Sequence, residues 1–313
     1  MNDRIAASNP VIPLIACGLT GLAGGTVLML AVHATFVTGP LLGALYGVLF
    51  ALTFSNRAVN QGAGLLWGLA YALLLWLAVV TGAQIIAANL LTSFRTQRDN
   101  FPDLAGYLLC FGVPLGLVLG TLGWLRHRAT SPHLSLPRAI LGGALAGIGG
   151  GWVFGRWMEQ INLYQEIAGL IGSSASLAGE TLHYLFAALV GVGFALLFQR
   201  DVRGLGSSMA WGMAYGILLW FLGPLTILPL GLSKPLDWSY IHATAEFGSL
   251  LANIINGLII GLLYAVIDRA AVRLLTESDP FTASRKDPAR ASFESSNGAQ
   301  RPVSPVACST WPS

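Results

Sequence analysis

The chain has 313 residues, of which 54% are hydrophobic and only 10% charged, whereas about a quarter of the residues in a soluble domain are charged. Its formal charge of +3 is too small to argue for nucleic acid as a partner. The composition excludes an ordinary soluble domain and predicts an all-α integral membrane protein whose first partner is the lipid bilayer.

A helix needs about 20 apolar residues to cross the hydrocarbon core. That length predicts eight transmembrane helices, at 11–33, 36–54, 63–88, 103–125, 138–157, 181–199, 208–230 and 245–267. Residues 1–10 are left as a cytoplasmic N-terminus. The first apolar run follows Arg4, as a signal peptide would, but it is longer than the about 7–15 residues of a signal core. Its GLTGLAGGTV at 18–27 also returns as ALAGIGGGWV at 144–153. A removable signal has no reason to recur, so the run is read as the first membrane helix.

The recurrence extends further. WGLAYALLLW at Trp67–Trp76 returns as WGMAYGILLW at Trp211–Trp220, and Leu41–Trp76 matches Leu185–Trp220 without a gap at 17 of 36 positions. Residues 11–136 and 137–276 are therefore read as two four-helix membrane repeats. The offset between matched residues grows from 126 in the first helix to 144 in the second, leaving 18 extra residues in the later half. They fall in an outer insertion at 159–179, where Ile161, Tyr164, Ile167, Ala168 and Ile171 have the spacing of an amphipathic helix lying flat on the membrane surface. Residues 277–313 are rich in Ser, Pro and Ala without an apolar period, and read as a disordered cytoplasmic tail.

Lys and Arg concentrate in cytoplasmic loops. With the N-terminus inside, 13 of the 17 basic residues are cytoplasmic, and only Arg95, Arg98, Arg156 and Lys234 lie outside. Both termini are then cytoplasmic, and four spans per half make the repeats parallel. Small-xxx-small spacing runs through the helices, with Gly143, Gly147, Gly151 and Gly155 in one line. Such stripes allow close helix crossing, and a homo-oligomer formed through Gly-rich faces is a further expectation. Cys17, Cys110 and Cys308 form neither a disulfide framework nor a metal spacing.

Ionisable groups near membrane depth are candidates for function, and here they gather in the later half. Glu180 and His183 are spaced i, i+3, and His242 and Glu246 i, i+4, so each pair shares a helix face. Their earlier counterparts are Phe36, Gly39 and a residue at or near Phe101. Pro224 and Pro229 interrupt span seven, where the first copy has LAVVTG without proline. Gln84 and Asn89 are amides near the end of span three, and Asn253 and Asn256 are amides in span eight. The substrate- or ion-binding set is accordingly Glu180, His183, Pro224, His242, Glu246, Asn253 and Asn256, placed between the halves near the outer ends of spans six to eight. Glu180, His183, His242 and Glu246 are the ligands if a metal is held; the plain alternative is water-facing or mutually paired residues. No phosphate loop, nucleophile elbow or HExxH spacing occurs, so no catalytic residue and no cofactor is implied.

The segment 223–251, GPLTILPLGLSKPLDWSYIHATAEFGSLL, carries Pro229, Gly231, Leu232, Trp238, Glu246, Phe247 and Gly248. In this order they resemble a stretch of YagU-like bacterial inner-membrane proteins, although Ser249 stands where those proteins tend to have His. The resemblance covers part of the later half and implies a multi-pass protein of the bacterial inner membrane, without a mechanism. The function expected is transport of a small solute or ion by a duplicated helix bundle. The alternatives are a membrane-embedded enzyme or metal-binding protein using the outer Glu and His residues, and a structural membrane subunit.

Overall fold

The computed structural model describes residues 11–32, 38–78, 100–127, 136–202 and 204–277. Among these residues the fold is entirely helical. Helix α1 spans Val11–Val32, α2 Thr38–Phe54 and α3 Gln61–Trp76. Helix α4 joins an α-helical Phe101–Gly106 and Val113–His127 through a π-helical Tyr107–Gly112. Helix α5 spans Leu136–Gln160, α6 Leu163–Gly169 and α7 Ser176–Phe198. Helix α8, Leu205–Leu222, continues as a π-helical Gly223–Ile227 and a last turn Leu228–Gly231. Helix α9 is Tyr240–Ala245 and α10 Phe247–Glu277. Met1–Asp268 forms one compact unit; Arg269–Ser313 forms a second, of which the described part is the helical end of α10.

Five helices are long and apolar enough to cross a membrane: Val11–Leu30, Phe101–Arg126, Ser176–Phe198, Leu205–Gly231 and Phe247–Val272. The expected eight are not all met among the described residues. Gly39–Phe54 and Gln61–Trp76 are apolar but short, about 24 Å each at 1.5 Å per residue. Helix α5 is long enough, yet it is diluted by glycine and carries Arg138, Arg156 and Glu159. The outer half of expected span three, with Gln84 and Asn89, lies outside the described residues, as do Arg95, Arg98, Phe36, residues 1–10 and the tail beyond Glu277.

Outward faces are apolar: Leu19, Leu52, Leu141 and Leu189 are each about 60% exposed. Burial is therefore arranged by close backbone approach rather than by an oil-filled core. Helices pair as α1 with α2, α3 with α4, α5 with α7 and α8 with α10. At Gly147 the approach is close: a Cβ would overlap the Ala187 carbonyl and lie 2.9 Å from Gly191 Cα. Only glycine lets α5 and α7 meet at that depth. The α5 stripe Gly143, Gly147, Gly151 and Gly155 is thus occupied within the chain, against α7 and Tyr164, and a homo-oligomer would need other faces.

Two sets of contacts recur at matched positions. Tyr71 Oη donates to the Tyr46 carbonyl at 2.9 Å, and Tyr215 Oη to the Val190 carbonyl at 3.2 Å; both partners of the second bond stand 144 places after those of the first. Phe54 stacks on Trp67 at 4.9 Å, and Phe198 on Trp211 at 5.4 Å, again 144 places on. Trp76 and Trp220 are both buried. The Trp76 indole N–H donates to the Asn100 carbonyl at 3.3 Å, and that of Trp220 to the Glu246 carbonyl at 3.0 Å. Trp76 thus fastens α3 to the residue just before α4, and Trp220 fastens α8 to the residue just before α10. On the opposite side of the fold, Asn60 caps α3 by accepting from Ala63 N at 2.8 Å and donates to Asp201 Oδ1 at 3.0 Å.

The insertion is not one continuous helix. Asn162 turns the chain in the left-handed region at φ 57°, and the short α6 then folds back on α7. Tyr164, Ile167 and Ala168 are buried there, while Ile161 and Ile171 stay exposed.

Candidate functional site

A cavity of about 630 Å³ lies within the later half, inside the range of about 300–1,000 Å³ typical of small-molecule sites. Its lining among the described residues falls at positions between Phe154 and Asn256. That lining comes from the later half alone, where a site between the halves was expected. Glycine contacts bind α5 to α7 and α8 to α10, and residues of all four helices line the cavity, the π-helical turn of α8 among them.

The π-helical turn comes from the local sequence. Pro224 has no amide hydrogen to return to the preceding turn, and α8 widens to π-helical geometry at Gly223–Ile227. Such turns recur at functional sites. Thr226 Oγ donates to the Phe221 carbonyl at 2.7 Å and accepts the Trp238 indole N–H at 3.1 Å. The loop after α8 is thereby tied to the widened turn. Lys234, in the same loop, reaches Glu166 of α6 at 2.7 Å, so the insertion and the loop close over one end of the cavity.

Six of the seven expected binding residues line it: His183, Pro224, His242, Glu246, Asn253 and Asn256. Glu180 does not, although it is three residues from His183. The reason is helical: His183 faces α5 and is buried, whereas Glu180 turns away and is half-buried. His183 Nε2 donates to the Gly151 carbonyl at 2.8 Å, which fixes Nε2 as the protonated nitrogen of the neutral ring. Phe154 and Tyr164 pack beside it, with ring centroids 5.9 and 5.7 Å away.

One wall is polar. Glu246, Ser249, Asn253 and Asn256 fall at i, i+3, i+7 and i+10, one stripe along α10. Ser249 Oγ contacts Glu246 Oε2 at 2.9 Å, and Asn253 Nδ2 donates to the Ser249 carbonyl at 2.8 Å. Asn256 is 7% exposed, and its Oδ1 has no hydrogen-bond partner among the described residues. At the matched positions of α4 stand Phe101, Leu104, Leu108 and Phe111, so the earlier half has no such stripe. Ser249 was not among the expected site residues, but its place in the i, i+3, i+7, i+10 series was open to view. The facing walls, including Phe154, Met158, Ile167 and Leu219, are apolar. No sequence signal joined them to the stripe, because they come from three other helices.

Glu180, His183, His242 and Glu246 do not assemble as metal ligands: among the described residues no three His, Cys, Asp or Glu side chains come together to hold an ion. At the loop end, Asp237 Oδ1 accepts from Ser239 N at 2.8 Å. This bond holds the Asp237 carboxyl below the ordinary range. What the arrangement offers chemically is a chamber with one hydrogen-bonding wall and three carboxyl groups in its lining. Compared with family models, curated proteins and solved structures, the chain matches none.

Proposed function

We propose that the protein is a multi-pass carrier of the bacterial inner membrane, built as two parallel four-helix repeats with both termini cytoplasmic, in which the later repeat binds a small molecule. The polar stripe of α10 inside the cavity carries this reading. Four polar side chains turn into one chamber at positions where the sister helix is apolar, and the buried Asn256 Oδ1 among them has no partner among the described residues, a cost that a bound hydrogen-bond donor would relieve. The contacts repeated 144 residues apart support the duplication, and the excess of Lys and Arg on one side supports the orientation. On this reading the earlier half is scaffold.

A thermal-unfolding screen of the purified full chain against small solutes and ions tests the binding role. A true ligand raises the unfolding temperature of the wild type by mass action but not that of Val190→Trp, which fills the cavity. Stabilisation of both proteins alike, or of neither by any solute, would count against the reading. Compounds that pass go to flux assays in proteoliposomes. A reporter fused after Ser278 is expected to be cytoplasmic, and a periplasmic result would overturn the topology.

A further inference from the structure

On the reading that the cavity is the binding site, it also selects by charge and by route of entry. Three carboxyl groups, Glu166, Asp237 and Glu246, line it against a single lysine, Lys234. Lys234 is engaged by Glu166 at 2.7 Å, which leaves Asp237 and Glu246 without an ion-pair partner among the described residues. Their bonds to Ser239 N and Ser249 Oγ hold the carboxylates in place and do not neutralise them. His242 lines the same end, with Nε2 buried and unpartnered among the described residues. An anionic group entering here meets repulsion, and a cation finds two carboxylates.

The rim tells against a hydrated inorganic ion. Phe186, Leu189 and Ile227 line the cavity yet are 42%, 59% and 60% exposed. They sit on α7 and on the π-helical turn of α8, and join the cavity to the outward apolar surface. Nothing on that rim can replace lost water of hydration, whereas an apolar body passes it readily. The geometry points to a hydrophobic organic cation, one ammonium-like centre on an apolar body, drawn from the bilayer between α7 and the widened turn of α8 and held with its charge beside Glu246 and Asp237.

Two ions of nearly the same shape and opposite charge test this: radiolabelled tetraphenylphosphonium and tetraphenylborate. They are presented to the full chain in nanodiscs of zwitterionic lipid, with empty nanodiscs as the blank. Saturable binding of the phosphonium is expected, undisplaced by the borate. Affinity should fall about tenfold in Glu246→Gln, the scale of one close charge pair, and further when Asp237→Asn is added. Asp237 lies in an exposed loop, so Asp237→Asn alone reports even if the Glu246 variant misfolds. Leu189→Trp, at the rim, should slow association. Absence of saturable phosphonium binding, or phosphonium binding unchanged in both carboxylate variants, overturns the proposal. Equal saturable binding of the borate, abolished by Val190→Trp, also overturns the charge selection while leaving the cavity standing as a binding site.

Discussion

In the later half His183 lies over Gly155, whose Cβ, if it had one, would be 3.3 Å from His183 Nε2. At the matched positions of the earlier half the sizes are exchanged: Gly39 lies against Met29, with a Cβ on Gly39 3.3 Å from the Met29 Cβ. The large and small members of the pair have traded helices. Gly155→Met should therefore overpack the site and cost about 1–3 kcal/mol. His183→Gly loses the bond to Gly151, worth about 0.5–1.5 kcal/mol net, and about 1 kcal/mol more for glycine in a helix. Its empty ring volume adds to that cost. The double variant restores the earlier half's arrangement, except that Tyr164 still crowds position 155. Its cost should fall short of the sum of the two singles by about 1–2 kcal/mol, within the range of coupled neighbours. Equilibrium unfolding in mixed micelles with rising dodecyl sulfate, followed by tryptophan fluorescence, measures all four proteins. Costs that add within about 0.5 kcal/mol would refute the exchange.

Tyr71→Phe and Tyr215→Phe each remove one hydroxyl bond to a backbone carbonyl, and equal losses of about 1 kcal/mol are expected in the same unfolding assay. A loss confined to one of them would undo their equivalence. Asn60→Ala removes both the α3 cap and the bond to Asp201, and should cost at least the about 1 kcal/mol of a helix cap. Lys234→Ala breaks a pair whose members are 58% and 40% exposed, so the loss should stay under about 1 kcal/mol and shrink with added salt. Asp237 has a folded-state pKa below its unfolded value, so its stabilising contribution is present above the unfolded pKa and is lost as pH falls through the folded one. The gap between wild type and Asp237→Asn should accordingly close on acidification; a gap widening in acid would reverse the assigned sign.

Much of the site was legible because it lies on local patterns. The pairs Glu180/His183 and His242/Glu246, the prolines of span seven and the amides of span eight are all visible as departures from the earlier copy. Alignment of the two halves could also have delivered Ser249, which stands opposite Leu104 in it. Glu180 failed for a geometric reason: three residues from His183 is near in rotation but not coincident, and the cavity is narrow enough to separate them. The apolar walls were hidden, since Met158 and Leu219 look like any membrane-helix residues until tertiary packing sets them opposite the stripe. Span counting rested on hydropathy and on the sidedness of Lys and Arg, and neither could tell that α5 uses its glycines against α7.

The exchange of Gly39 and Met29 for His183 and Gly155 constrains how the two copies could have parted after a duplication. Two mutations separate the arrangements, and one order passes through a protein with both large side chains in a space that holds one. The other order passes through a void, which weakens a bundle but does not force its helices apart. In either direction of descent, then, the bulky residue had to leave before its replacement arrived. If the earlier half's arrangement is the older, the imidazole entered a place already emptied for it; if the later half's is, the methionine did.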